Sequence, residues 1–318
     1  MNLSVTFCGI EFPNPLVLAS GYLGVTGASL ANCVNSGAGG VTSKTLFLQE
    51  RKGHPNPTVL TFPGGMINAV GLSGEGIKNA KHEFEQYKRL APENPMIGSV
   101  GGKNIKELVE CAEIMAGYPV DMLELNFSCP NVDDEMGRPF ACDTGLTGEA
   151  TKAVRKITKK PISVKLSPNV PNIGLIAQAA EANGADAITA VNTMGPGMLI
   201  DIQLRRPILS NKTGGVGGQA LYPIALRCVY EIYTKVKIPI IGTGGIIKGA
   251  DAIAMLMAGA SLLGIGSAIA SYDLKAFTML ADKLREFMNA EGFEDVSELT
   301  GLAHDDDLGR QKLDKLVS

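Results

Sequence analysis

The chain has 318 residues, is 45% hydrophobic and carries a formal net charge of −3; this is ample for a large core, and without a basic run it offers nucleic acid no positive patch. Aromatics are 5% and tryptophan is absent, so the core is predicted from Ala, Ile, Leu, Val and Met. No apolar stretch reaches the ~20 residues of a membrane span, and "MNLSVTFCGIEF" lacks the positive-then-apolar order of a signal peptide. Six cysteines without a CxxC and three scattered histidines predict a reduced, cytoplasmic protein with no metal centre.

In chain order, "LSVTFCGIEF" predicts a small N-terminal hairpin, followed by strands at 15–20, 39–45, 95–100, 121–126, 161–166, 186–191, 238–243 and 261–266. Most are continuous apolar runs, the mark of strands buried on both faces in a parallel sheet. Helices are predicted between and after them, at 27–36, 75–90, 103–116, 147–159, 172–183, 220–236, 248–258 and 273–291. In 103–116, Ile105, Leu108, Val109 and Ala112 recur three or four apart and make one apolar face. Eight strands each followed by a helix give a (β/α)8 TIM barrel, here a single domain over 1–318 with the hairpin closing its bottom. The longest stretches read as irregular are 46–74, 127–146 and 192–219, all after strand C-termini and so on the catalytic face of such a barrel.

Chemistry-bearing residues gather at the same strand ends. "GTGGI" (242–246) and "GIGSAI" (264–269) are glycine turns after strands seven and eight, where this fold often binds phosphate through backbone N–H groups. Lys44, Asn126, Lys165 and the pair Asn192 and Thr193 lie in or at the ends of strands two, four, five and six. A lysine in an apolar strand is costly without an anionic partner, and an isoalloxazine ring, whose reduced form is an anion, wants a cation at that place. A packed stem with a solvated amine is the alternative for either lysine taken singly. "NAVGL" (68–72) offers an amide and several backbone N–H groups, although an ordinary turn also explains it. In "NFSCPN" (126–131), Cys129 sits in a polar loop that suits packing poorly, unlike Cys8, Cys33, Cys111 and Cys228. With a thiol pKa of ~8.5, it can act as a general base near neutrality. Cys142 is a weaker candidate in the same loop.

Together "NPLVLASG", "SKT", "NAVGL", "NFSCPN", "VKLSPN", "VNTMGPGMLID", "NKTGGVGG", "IIGTGG" and "GIGSA" resemble the class 1 dihydroorotate dehydrogenases over nearly the whole chain. The resemblance implies an FMN-containing barrel that oxidises (S)-dihydroorotate to orotate in de novo pyrimidine biosynthesis. It implies Cys129 as the base at substrate C5, with hydride passing from C6 to flavin N5. By the same resemblance Lys44, Asn68, Ala69, Val70, Gly71 and Leu72 hold the substrate, together with Asn126, Asn131, Asn192 and Thr193. The flavin is lined by Ser20, Lys44, Thr45, Ser99, Asn126 and Lys165, and further by Val191, Gly218, Gly244, Gly245, Gly266 and Ser267.

"SGEG" follows "NAVGL" where such relatives carry "QNPG" or "PN". "GGVGG" resembles the fumarate-reducing homodimeric branch, since NAD-linked members usually carry Ser at the position of Gly217. "NTMGPGMLID" and "SCPNVDDEMGRPF" are closer to the NAD-linked type, which implies a homodimer working with a separate subunit that carries FAD and an iron–sulfur cluster in a heterotetramer. The alternative is a dihydropyrimidine dehydrogenase-like flavin barrel that reduces uracil or thymine, which resembles this family around "NFSCP".

Overall fold

The computed structural model describes residues 1–127 and 140–305. Cys129, Asn131 and the "VDDEMGRPF" segment up to Pro139 lie outside the described residues. Eight parallel strands close into a barrel in chain order: Leu16–Leu18, Gly40–Thr42, Met96–Val100, Met122–Asn126, Ile162–Leu166, Ala187–Ala190, Ile240–Thr243 and Leu262–Ile265. The last pairs with the first through Gly264 beside Val17, which shuts the sheet and removes its edges. Every residue in these strands is buried apart from half-buried Asn126. That explains their near-continuous apolar sequences, because one face meets the barrel interior and the other the helices. Each fully buried Leu, Ile or Val contributes roughly 1.5–3 kcal/mol before entropy is counted.

The helices that cover the barrel start where a side chain can satisfy a free N–H. Thr26, Asn104, Asp143 and Asn172 each accept a backbone hydrogen bond from the first turn of their helix. Helix Ile105–Ala116 buries Leu108, Cys111, Ala112 and Met115, close to its predicted face. The hairpin Val5–Phe7/Ile10–Phe12 forms as expected. Cys8 donates through Sγ to the Asp186 carbonyl, 3.3 Å away, just before the sixth strand. The hairpin therefore lies at the N-terminal end of the barrel, opposite the loops that carry the chemistry.

Several boundaries differ from the sequence reading. The helix expected at 147–159 is Thr144–Arg155, because Asp143 caps it three residues earlier. The stretch 75–90 divides into a 3-10 turn, Ile77–Asn79, and a helix, Lys81–Leu90; the backbone turns to positive φ at Gly76. After the eighth strand, an unpredicted short helix, Ser267–Tyr272, precedes Lys275–Glu291.

The largest correction concerns the stretches 46–74 and 192–219, read as irregular. They build a four-stranded antiparallel sheet over the barrel mouth: Met194–Gly197, Gly214–Gly217, Gly65–Asn68 and Val59–Phe62, in that spatial order. Gly215 pairs with Asn68, Val216 with Ile67 and Gly217 with Met66. Ile67, Ala69 and Leu209 form a small core of their own under this roof. Beyond it a two-stranded ribbon, Ile200–Asp201 with Arg206–Pro207, projects into solvent.

Candidate active site

A cavity of about 180 Å³ opens between the barrel mouth and the roof. Strand ends contribute Ser20, Lys44, Thr45, Asn126 and Lys165; the roof loop contributes Asn68, Val70, Gly71 and Leu72; the sixth strand's loop contributes Asn192 and Thr193. The structure thus brings most of the predicted residues to one place. Ala69, also predicted, is buried behind the wall, and its carbonyl faces His54 Nδ1 at 3.0 Å. A carbonyl can only accept, so that ring nitrogen carries the proton. Val191 is buried, with its N–H donating to the Thr243 carbonyl, 2.8 Å away.

Ser99 lies beneath the cavity rather than on its surface, and its partners show why it is polar. Ser99 Oγ donates to Glu124 Oε1, 2.9 Å away, while Thr45 Oγ1 sits 2.9 Å from Ser99 Oγ. A hydroxyl has one proton. Ser99 spends its own on Glu124, so Thr45 donates to Ser99. Thr45 Oγ1 then accepts from Asn126 Nδ2 at 3.0 Å and from Ser20 Oγ at 3.2 Å. The direction of every proton follows from the carboxylate, and with it the orientation of the Asn126 amide: Nδ2 faces Thr45, and Oδ1 faces Asn192 Nδ2 at 3.5 Å. Glu124, only 2% exposed, was missed by sequence reasoning. Its signal was present: a carboxylate between two leucines inside the strand of "DMLELN" carries the same burial cost that singled out the lysines. If Asn126 holds orotate as the sequence resemblance implies, replacing Glu124 by Leu is expected to free its amide and weaken that binding about tenfold, whereas Glu124→Gln, which keeps an acceptor, should bind nearly as wild type. Equal binding by the Leu and Gln variants would show that this relay does not orient Asn126.

The two lysines differ in their surroundings. Lys165 is 5% exposed and lines the cavity; among the described residues its amine has no hydrogen-bond or ion-pair partner. Lys44 donates from Nζ to Ser73 Oγ, 3.0 Å away, and burial pulls its pKa below the ordinary lysine value. Gly21 and Tyr22 complete the cavity and were not predicted. The Tyr22 hydroxyl reaches Met66 Sδ in the roof at 2.8 Å, and burial raises its pKa.

The glycine turns lie side by side at the same end of the barrel, since Thr243 pairs with Gly264. Gly245 has φ +74°, and a Cβ there would collide with the Gly218 carbonyl and come within 2.9 Å of Tyr222. Backbone packing alone therefore demands glycine at 245. A Gly245→Val variant is expected to misfold, leaving little soluble protein; normal yield with an unchanged melting temperature would contradict this. Gly266 differs, because its φ is negative and the nearest atoms to a Cβ would be those of the Tyr22 ring, at 3.3 Å, and Ala19 Cβ, at 3.7 Å. Among the described residues, the backbone amides of Gly245, Gly266 and Ser267 have no hydrogen-bonded acceptor.

Cys8, Cys33, Cys111 and Cys228 are packing residues. Burial pushes their thiols up, to about 12 for Cys8 and Cys111 and about 11 for Cys33 and Cys228. Cys142 lies in the 3-10 turn Phe140–Cys142 and does not line the cavity. Among the described residues no group of three or more His, Cys, Asp or Glu could hold a metal ion, and no helix is long and apolar enough to cross a membrane.

Comparison with known proteins bears directly on this site. The dihydroorotate dehydrogenase family profile matches residues 2–288. A protein of Methanothermobacter thermautotrophicus, named dihydroorotate dehydrogenase B (NAD(+)) catalytic subunit, is 43% identical across 95% of this chain and 99% of its own length. Proteins of the same name from Methanocaldococcus jannaschii and Pyrococcus furiosus are 40% and 41% identical, each over 95% of this chain and 98% and 99% of their own lengths. The fold is similar to that of a DHODH from Eimeria tenella crystallised with ferulenol, with a TM-score of 0.83 at 22% identity, covering 96% of this chain and 89% of that one. With the family profile spanning nearly the whole chain and relatives above 40% identity, this protein belongs to the dihydroorotate dehydrogenase family and is an oxidoreductase that oxidises dihydroorotate in pyrimidine biosynthesis.

Proposed function

We propose that the cavity at the barrel mouth takes dihydroorotate together with FMN, and that Cys129 removes the C5 proton. The observation that carries this reading is Lys165, a residue only 5% exposed whose amine opens on the cavity with no hydrogen-bond or ion-pair partner among the described residues, beside Lys44, Thr193 and three asparagines. A buried ammonium needs an anion or an electron-rich ring, and the reduced flavin headgroup is one. When bound, FMN supplies the acceptor for the hydride that leaves C6. Lys44 matches the substrate carboxylate, and Asn68, Asn126, Asn192 and Thr193 match its ring amides and carbonyls. Asn126 Oδ1 can only accept, so it suits a ring N–H. The amides of Gly245, Gly266 and Ser267 would cradle the phosphate. In that case Gly266→Ala, whose Cβ needs the Tyr22 ring to give by a few tenths of an ångström, should lower flavin content in purified protein far more than it lowers the apo-protein's melting temperature. Full flavin content would remove Gly266 from the phosphate site.

The electron acceptor is proposed to be NAD, reached through a second subunit carrying FAD and an iron–sulfur cluster, because the relatives are named catalytic subunits of NAD-linked enzymes. Gly217, the residue that resembles the fumarate-reducing branch, does not oppose this. A Cβ there would meet only Met66 and Thr193, both at 3.6 Å, so the Ser of NAD-linked relatives would fit. A homodimer is also proposed. Met198, Ile200, Ile202 and Leu204 are exposed on and beside the projecting ribbon, and such a patch supports a subunit contact. Ile202→Asp is then expected to shift the sedimenting species from dimer to monomer, and an unchanged species would place the contact elsewhere.

The test of the whole reading is an anaerobic assay of the purified chain with dihydroorotate against NAD, fumarate and a dye, with and without the co-expressed partner. Dye reduction by the chain alone, and NAD reduction only with the partner, are expected. Fumarate reduction by the chain alone would overturn the NAD assignment. Turnover of uracil but not dihydroorotate would favour the dihydropyrimidine dehydrogenase-like alternative.

A further inference from the structure

We propose that Ser73 is a positioning residue for Lys44: it tethers the ammonium at the wall between two cavities, where it can receive the substrate's carboxylate. The inference rests on reading the 180 Å³ cavity as the substrate site. Behind that cavity lies a second, of about 310 Å³, walled by Leu30, Ser73, Glu75, Glu83 and Phe84. Lys44 lines both. A lysine stem has several rotatable bonds, and its ammonium is a compact point charge. Left untethered between two cavities, it can swing into the larger one, away from the asparagines that complete the site.

One contact opposes that swing. Nζ donates to Ser73 Oγ at 3.0 Å, and among the described residues this is its sole hydrogen bond; no ion pair involves it. An ammonium has three donors, so two remain for a ligand. Ser73 is the first residue of the "SGEG" segment, and the residues just before it, Val70 to Leu72, line the substrate cavity. The tether and the site wall are thus continuous in the chain.

The contact also bears on protonation. Burial disfavours the charged form of Lys44. The charged groups that face it are Glu75 and Glu83 across the larger cavity and Lys165 across the smaller, with the Tyr22 hydroxyl beside it. None of the carboxylates reaches it as an ion pair; Glu83 is occupied by the Gly27 N–H at 2.6 Å and by His82 at 3.0 Å. A hydroxyl that accepts from Nζ favours the ammonium over the neutral amine. Affinity for an anion is present while Lys44 is charged and is lost as pH rises through its lowered pKa. Removing the hydroxyl lowers that pKa further and moves the loss to lower pH.

The experiment is an orotate titration of the flavin-loaded enzyme, followed by the visible spectrum of the bound flavin across the neutral to alkaline range. Ser73→Ala should bind orotate about tenfold more weakly at neutral pH, with its alkaline limb shifted to lower pH; Ser73→Thr, which keeps the hydroxyl, should restore both. Lys44→Met should lose the limb altogether. If Ser73→Ala titrates as wild type while Lys44→Met loses the limb, the tether is refuted and the site reading stands. If Lys44→Met itself keeps wild-type affinity and limb, the site reading fails. Weaker binding by Ser73→Ala with an unmoved limb, unrestored by Thr, would reduce Ser73 to a structural part of its loop and overturn the proposal.

Discussion

Cys129→Ala is expected to reduce its flavin with dihydroorotate about 10²–10⁴-fold more slowly than wild type, the usual cost of losing a positioned base. Flavin content and orotate affinity should change little, because the groups proposed to bind them are elsewhere: Lys44, Asn68, Asn126, Lys165, Asn192 and Thr193. Cys129→Ser should fall between, and its rate should rise with pH, since a hydroxyl is a weaker acid than a thiol and gives less of the basic form at a given pH. Anaerobic stopped-flow flavin reduction is the measurement. The control is Cys142→Ala, at a thiol that does not line the cavity. A wild-type rate in Cys129→Ala together with a collapse in Cys142→Ala would move the base along the chain.

Lys165→Ala should produce two effects of opposite sign. Lys165 is 5% exposed and its amine meets the cavity with no hydrogen-bond or ion-pair partner among the described residues, so in the flavin-free protein it orders a long side chain and gives up part of its hydration without a protein contact in return. Removing it should raise the apo-protein's melting temperature. With flavin bound, the same charge faces an electron-rich headgroup, and truncating one side of a buried charged contact commonly costs 2–5 kcal/mol. Flavin affinity should therefore fall on the order of a hundredfold or more, or the flavin that remains should have a lower reduction potential. Melting curves of apo-protein and flavin titrations measure the two arms separately. A less stable apo-protein with unaltered flavin binding and potential would mean that Lys165 is a packing residue whose amine serves no ligand.

The barrel was legible because its strands are buried on both faces. "PISVKL" and "PMIGSV" can bury nearly every side chain only between a packed interior and a layer of helices, and they do so as Ile162–Leu166 and Met96–Val100. Lys44, Lys165, Asn126 and Asn192 were legible for the converse reason: polar groups at the ends of apolar strands carry a cost that a site can offset. The roof was not. Its strand Gly214–Gly217 is "GGVG", three glycines and a valine, which has no β preference of its own. It is a strand because Asn68, Ile67 and Met66 lie alongside, and that neighbour is a property of the closed barrel rather than of local sequence. Tyr22 escaped notice in a glycine-rich turn, where a tyrosine reads as solvent-facing until Met66 is placed beside it. Ser73 was seen only as a departure from the pattern of relatives, and its meaning depends on where the Lys44 stem ends.

The roof also sets the order in which the molecule can mature. Asn68 and Gly215 meet across 147 positions of chain, joined by a ladder only a few residues long. Loop closure over that span is unfavourable until something else has brought the ends together. Here that something is the barrel, whose neighbouring strands accumulate in sequence order as the chain lengthens. A nascent or refolding chain should accordingly protect the amides of Met96–Val100 and Met122–Asn126 first, and those of Gly65–Asn68 and Gly214–Gly217 together and last. The polypeptide then passes through a stage with a finished scaffold and an unassembled ligand cavity. Pulse-labelled hydrogen exchange would date that stage, and orotate added during refolding should bind only after it.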